Sequence, residues 1–220
     1  MTEIIVVDLE TAAIGEPPPA PEEYLARVGS ATKPETIERK RAENLASWPD
    51  AWRKQSALDW RLGQIICLGV AVNGVVTVSS QMTEAKLLAA WWGNLDDYSD
   101  FQVAGFGIRS FDLPWLYGRS AVHGIQPSRI LSENRYHHHK VVDWQDVLSS
   151  YGGMSLTGWT LGAYADLFQL EHRPNGTGVD VGAWAQARDW ANIVTHCEAD
   201  LRTTWDLDRR CRPVFLGGTA

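Results

Sequence analysis

Two carboxylates set two residues apart, Asp8 and Glu10, close a run of four β-branched residues, Ile4-Ile5-Val6-Val7. Alternate side chains of a strand share one face, so both acids point the same way from the end of a strand buried on both sides. Two anions held together out of water repel each other and lose solvation, which forces a proton onto one of them. A divalent cation reverses that balance. Asp112 stands at a turn-to-helix junction after a strand, and His196 and Asp200 lie four apart on the last helix, on one face about 5–6 Å apart. Carboxylates around two metal ions about 3.5–4 Å apart are a recurring device for phosphodiester cleavage. An imidazole, which ordinarily titrates near ~6.5, suits proton abstraction at neutral pH better than a phenol near ~10.

The elements that must position these groups follow from the pattern. Strand one is expected over 4–11. Residues 12–62 form an insertion that leaves the sheet at the carboxylate end of that strand. It opens with Pro17-Pro18-Pro19 and Pro21, an extended stretch. A helix then starts at Thr32-Lys33-Pro34-Glu35, carries Ile37, Leu45 and Trp48 as an apolar stripe, and restarts at Pro49 before fading ahead of Gly63. Gln64–Val72 and Val75–Ser80 flank Asn73-Gly74, a strong hairpin signal. Thr83 caps a helix to about Asp97, Phe101–Phe106 is a strand, and a helix follows Asp112 to His123-Gly124. Val141–Asp143 is a last short strand. Helices are expected over Ser155–Phe168, Val181–Arg188 and about Trp190–Arg209. The order implies an α/β fold with a mixed sheet flanked by helices.

A chain of 220 residues fits a single domain, 1–220, with the insertion inside it. The net charge of −7 argues against holding nucleic acid on a broad basic face, although not against meeting it through metal ions and a local patch. The three cysteines, Cys67, Cys197 and Cys211, are widely spaced and lack a C-x-x-C pair, which suggests a reduced, cytoplasmic setting. Thr2-Glu3 leads straight into the strand without a signal-peptide pattern, and the longest apolar run, Ile65–Val72, is too short for a bilayer. No membrane association is expected.

Three motifs in order resemble those of the DnaQ-like, DEDD 3′–5′ exonucleases of the ribonuclease H-like fold. They are Asp8-Leu9-Glu10-Thr11, then Gly105-Phe106-Gly107-x-x-Ser110-Phe111-Asp112-Leu113-Pro114, then His196-Cys197-Glu198-Ala199-Asp200-Leu201-x-x-Thr204. Between them the Pro-rich insertion, Ala57-Leu58-Asp59, Gly63-Gln64-Ile65 and Gly176-x-Gly178-Val179 are similar to the DNA polymerase B-like predicted exonucleases, which are frequent in phages. Two positions depart from the pattern. His196 stands where this branch usually has Tyr, while the branch that uses His places it one residue earlier, here Thr195. Gly107 stands where Asn is common.

The resemblance implies a ribonuclease H-like α/β fold and hydrolysis at two Mg²⁺ or Mn²⁺ ions, releasing 5′ nucleotides from a 3′ end. Asp8, Glu10 and Asp200 would hold one ion; Asp8 would bridge to a second, supported by Asp112. His196 would orient or deprotonate the attacking water, and Thr11 and Phe111 would contact substrate. The implied partner is nucleic acid, single-stranded DNA first, with a polymerase or other replication protein as a further candidate; oligomeric state is open. The same chemistry on short RNA, and a non-cleaving nucleic-acid-binding module, are the alternatives.

Beside strand one, the insertion offers Lys33, Arg39, Lys40, Arg41, Arg53 and Lys54 with Trp48 and Trp52, a mix suited to phosphate contact and base stacking. The competing reading is a helical hairpin whose tryptophans pack internally and whose charges are solvated. His137-His138-His139 is expected to be a solvated loop, since consecutive side chains cannot all face one ion. Asp143 is expected to cap the helix after it, and Asp146 and Asp166 to be surface acids.

Overall fold

Strand β1 (Glu3–Ala13) runs through the middle of the sheet and delivers Asp8 and Glu10. The computed structural model describes residues 2–131 and 134–217. After β1 come helices α1 (Glu22–Leu25) and α2 (Pro34–Ser56), then the hairpin β2 (Gly63–Val72) and β3 (Val75–Ser80), helix α3 (Glu84–Leu95) and strand β4 (Phe101–Gly105). Helix α4 (Asp112–His123), strand β5 (Val141–Asp143) and helices α5 (Trp144–Leu148), α6 (Leu161–Leu167), α7 (Gly178–Ala187) and α8 (Trp190–Phe215) complete the chain. The sheet has the order β3-β2-β1-β4-β5. β2 runs antiparallel to both β1 and β3, whereas β4 and β5 run parallel to β1, so the sheet is mixed as the sequence implies.

Alternation along β1 sorts two cores. Ile5, Val7 and Leu9 face α3 and α4, packed with Leu87, Leu88, Trp91 and Trp115. Val6 faces the other way, into a layer with Cys197, Leu201 and Leu207 of α8 and with Tyr164 and Val181 of α6 and α7. Asp8 and Glu10 continue that second row to the end of the strand, beneath α8. Gly69 lies opposite Asp8 in the β1–β2 register, and a β-carbon there would come within 2.5 Å of Leu201 Cδ1 and 2.6 Å of Cys197 Sγ. The missing side chain lets α8 settle close over Asp8.

The pairing shifts just past Glu10. Glu10 lies opposite Cys67 but Thr11 opposite Ile65, leaving Ile66 as the extra residue of a bulge beside the acids. Past Cys67, β3 no longer pairs with β2, and the Ile65 amide donates instead to Oε1 of buried Glu84 (2.7 Å). Burial favours the neutral form of that carboxyl, but bonds from Arg119 and His123 outweigh it and hold the pKa below the ordinary range.

Several boundaries differ from the sequence reading. β1 extends to Ala13, because Ala12 and Ala13 still pair with Gln64 and Gly63, so the insertion is 14–62. A short α1 interrupts the extended segment. Pro49 sits inside one continuous α2 rather than restarting it: a ring fixed at helical φ costs one backbone bond, on a helix whose single buried residue is Ser56. Leu45, placed on an apolar stripe, is 57% exposed. Before α6 the chain is irregular from 155 to 160, with Gly158 at φ 80°, and Thr160 caps the helix through Ala163 N. α7 begins at Gly178, earlier than expected, through a capping box of Thr177 and Asp180, and α8 continues to Phe215. Among the described residues no helix is long and apolar enough to cross a membrane.

Candidate active site

Four carboxylates from three elements meet at one end of the sheet. Asp8 and Glu10 come from β1, Asp112 is the first residue of α4, and Asp200 comes from α8; all line a cleft of about 1350 Å³ together with His196. Glu10 and Asp112 are each 6% exposed. Asp112 is not a helix cap, since Phe111 occupies that position without a side-chain bond, and its own carboxylate turns inward.

Crowding shows in the proton equilibria. Burial, then the charges of Asp200 and Asp112, raise Asp8 well above its ordinary value. Burial and the charge of Asp8 do the same to Glu10. Asp112 is pushed up to about 8 by burial, with Asp143 adding to the rise while the amides of Asp112 and Leu9 oppose it. Asp200 is pushed up to about 6 by burial, with His196 pulling the other way. Oδ1 of Asp200 is buried with no hydrogen-bond partner, and a buried oxygen left so is costly unless something else binds there.

His196 is 3% exposed, one turn before Asp200 on the sheet-facing side of α8. Its Nδ1 lies 2.5 Å from the Asn175 carbonyl oxygen and its Nε2 3.8 Å from Glu10 Oε1. A carbonyl only accepts, so Nδ1 carries a proton and Nε2 is the nitrogen turned to the acids. The edge of Trp184 on α7 packs on the same ring, centroids 5.8 Å apart. Cys197 also lies among the acids: its Sγ and oxygens of Asp8 and Glu10 are all within 4.8 Å of one another.

Asp143 does more than cap α5. It is 2% exposed, and besides Gln145 N and Asp146 N it accepts from Gly107 N (3.0 Å) and Arg109 N (2.9 Å), so one carboxylate ties the loop before Asp112 to the next strand. Gly107 has φ 74°, a left-handed turn that Gly adopts freely and Asn tolerates.

The structure separates the substrate-binding candidates. Phe111 and Thr11 line the cleft; Phe111 packs on Trp115, and the Thr11 hydroxyl donates to Ala57 O at 2.5 Å, fastening the end of α2 to β1. Lys33, Arg39, Lys40, Arg41, Trp48 and Trp52 are not among the lining residues. Arg39 pairs with Glu43 and Arg41 with Glu22, Lys40 donates to Val28 O, and Trp48 donates to Pro18 O while packing at 4.9 Å on Tyr24. These groups hold the insertion together. Its side toward the acids is the last two turns of α2, with Asp50, Arg53 and Lys54. His137 and His139 are exposed or nearly so, as a solvated loop requires, and His138 bonds Tyr151. Asp166 is an exposed partner of Arg173, whereas Asp146 is largely enclosed, beside Arg109 and Arg135. Asn175, Trp184 and the loop bonds of Asp143 carry no signal in the sequence beyond the Gly-rich turn at 176–178.

Comparisons with known proteins bear on this geometry. Residues 64–214 match the model of a family described as a predicted 3′–5′ exonuclease related to the exonuclease domain of PolB. Among solved structures, the chain is similar to the family B DNA polymerase from the hyperthermophilic archaeon Pyrobaculum calidifontis, with a TM-score of 0.63 and 15% identity over 97% of this chain. The chain spans about a quarter of that polymerase, 25% of its length. At that identity the likeness concerns the fold, which is ribonuclease H-like, as the motifs imply. No curated protein matches the sequence.

Proposed function

Because the chain belongs to the family of predicted 3′–5′ exonucleases related to the exonuclease domain of PolB, we propose that it is a divalent-metal-dependent enzyme removing 5′ nucleotides from the 3′ end of single-stranded DNA. The observation that carries this reading is the convergence of Asp8, Glu10, Asp112 and Asp200 with His196 in one cleft.

The donors fit Mg²⁺ or Mn²⁺. They are hard carboxylate oxygens, held in a crowd whose raised proton affinities a divalent ion relieves, and Oδ1 of Asp200 has no hydrogen-bond partner among the described residues. Asp8, Glu10 and Asp200 would hold one ion, and Asp8 with Asp112 a second. Bound there, the ions would activate the attacking water and offset charge on the leaving 3′ oxygen. The chain's own groups do the rest. His196, fixed by Asn175, takes the water's proton at Nε2. Phe111 offers a flat face to the terminal nucleoside. Asp143 holds the 107–109 loop so that Asp112 stays directed at Asp8.

The test is incubation of 5′-labelled single-stranded DNA, and of the matching RNA, with Mg²⁺, Mn²⁺ or EDTA, beside Asp8→Asn. A metal-dependent ladder shortening from the 3′ end and lost in the variant supports the reading, and the faster substrate names the sugar. Bound but uncut DNA with either metal would overturn it in favour of a non-cleaving binding module.

A further inference from the structure

The cleft has one basic wall, and it belongs to the insertion. We propose that Lys54 and Arg53, at the root of α2, contact the phosphodiester backbone of the strand whose 3′ end lies at the carboxylates. This rests on the exonuclease reading and adds to it a binding wall. Six carboxylates among the described residues line the cleft: Asp8, Glu10, Asp112, Asp200, Glu16 and Asp50. Two divalent ions on the first four would cancel their four charges, leaving Glu16 and Asp50 balanced against Lys54 and Arg53. A polyanion entering there meets no net repulsion and finds two cations.

Both cations are available. Lys54 is exposed and has no ionic partner among the described residues. Arg53 touches Asp50 at 3.3 Å and Glu16 at 3.6 Å, and those acids are 87% and 90% exposed, so both pairs are solvent-screened and readily exchanged for phosphate. Their position is fixed as well. The Thr11 hydroxyl grips Ala57 O one residue from Glu10, and the return of the insertion is seated at Gly63, where a β-carbon would come within 2.5 Å of Ser56 O. Arg39 and Arg41, in exposed ion pairs of their own, do not line the cleft. The residues that match the family begin at 64, so this wall lies outside them.

Two probes separate grip from chemistry: a single-stranded oligothymidylate, and the p-nitrophenyl ester of thymidine 5′-phosphate, which has no upstream phosphate. Arg53→Gln with Lys54→Gln should raise KM for the oligonucleotide several-fold with kcat unchanged. It should also lower the salt slope of log kcat/KM by ~0.7 for each phosphate that the wall no longer neutralises, while ester hydrolysis stays at the wild-type rate. Lys33→Gln, which removes one positive charge about 30 Å away at the other end of α2, should change none of these. An unchanged KM and salt slope in the double variant would overturn the proposal, as would an equal loss on the ester, which would make the wall a support of the catalytic groups. No turnover of either probe by the wild-type protein would remove the exonuclease reading, and this inference with it.

Discussion

The imidazole of His196 donates from Nδ1 to the carbonyl of Asn175 and thereby directs Nε2 at Glu10, 3.8 Å away. The ring's orientation is set by a backbone atom twenty-one residues upstream. His196→Phe should lower kcat by ~10²–10⁴, the range for loss of a positioned acid–base group, and flatten the pH–rate profile near neutrality. A profile of unchanged shape in the variant would end the base assignment.

Asp143 receives amides from both sides of the site. Asp143→Ala strands four donors, that of Gly107 buried and the other three part-buried, and the buried one costs about 1–3 kcal/mol. Thermal denaturation should show a large fall, with a matching loss of exonuclease activity because the loop before Asp112 is released. Asp143→Asn keeps an oxygen for Gly107, Gln145 and Asp146 and loses only the bond from Arg109, so it should recover most of both. Equal damage from the two variants would mean that the charge, not the hydrogen bonding, matters.

The crowded acids give a pH signature to metal-free protein. Asp112 titrates near about 8 and Asp200 near about 6 in the fold, against ordinary values near 3.8. The folded state therefore binds more protons than the unfolded chain across that interval, and stability falls as pH rises from about 4 to about 8. Melting in EDTA should show this decline, and Asp112→Asn should lessen its alkaline part and raise the apo Tm at pH 8 while abolishing turnover. Added Mg²⁺ or Mn²⁺ should stabilise the wild type most at the alkaline end, where the fewest protons need be displaced.

Gly69→Ala tests how closely α8 must lie on the sheet. The new methyl meets Leu201 and Cys197 at distances real side chains do not reach. Relief by shifting α8 should cost about 1–3 kcal/mol and disturb Asp200 and His196 with it. Activity should fall more than stability, as read by kcat against Tm; intact kcat would show that the side chains yield instead of the helix.

Much of this site is written in local periodicity. Alternation places Asp8 and Glu10 on one face, the four-residue spacing joins His196 to Asp200, and Asn73-Gly74, at φ 49° and 84°, makes the expected hairpin. What periodicity does not encode is which end of a long helix is rooted. The cluster of Arg39, Lys40 and Arg41 has the composition of a nucleic-acid patch, yet ion pairs and a backbone carbonyl occupy it. Arg53 and Lys54 reach the cleft instead, because Thr11 fastens that end of α2. The carbonyl of Asn175 and the fourfold role of Asp143 are equally hidden, since both join segments far apart in the chain.

Ala13 faces Gly63 across an antiparallel pair, so in topological terms everything between them is one oversized hairpin loop. Lengthening such a loop costs only logarithmically in closure entropy, so what matters is how its two roots are held: Thr11 bonds Ala57 O, and Trp60 packs on Gly118 with its carbonyl bonded to Arg119. The arm is thus a cantilever, clamped at its root to the sheet and to α4, and the clamp sets how far Arg53 and Lys54 reach over the cleft.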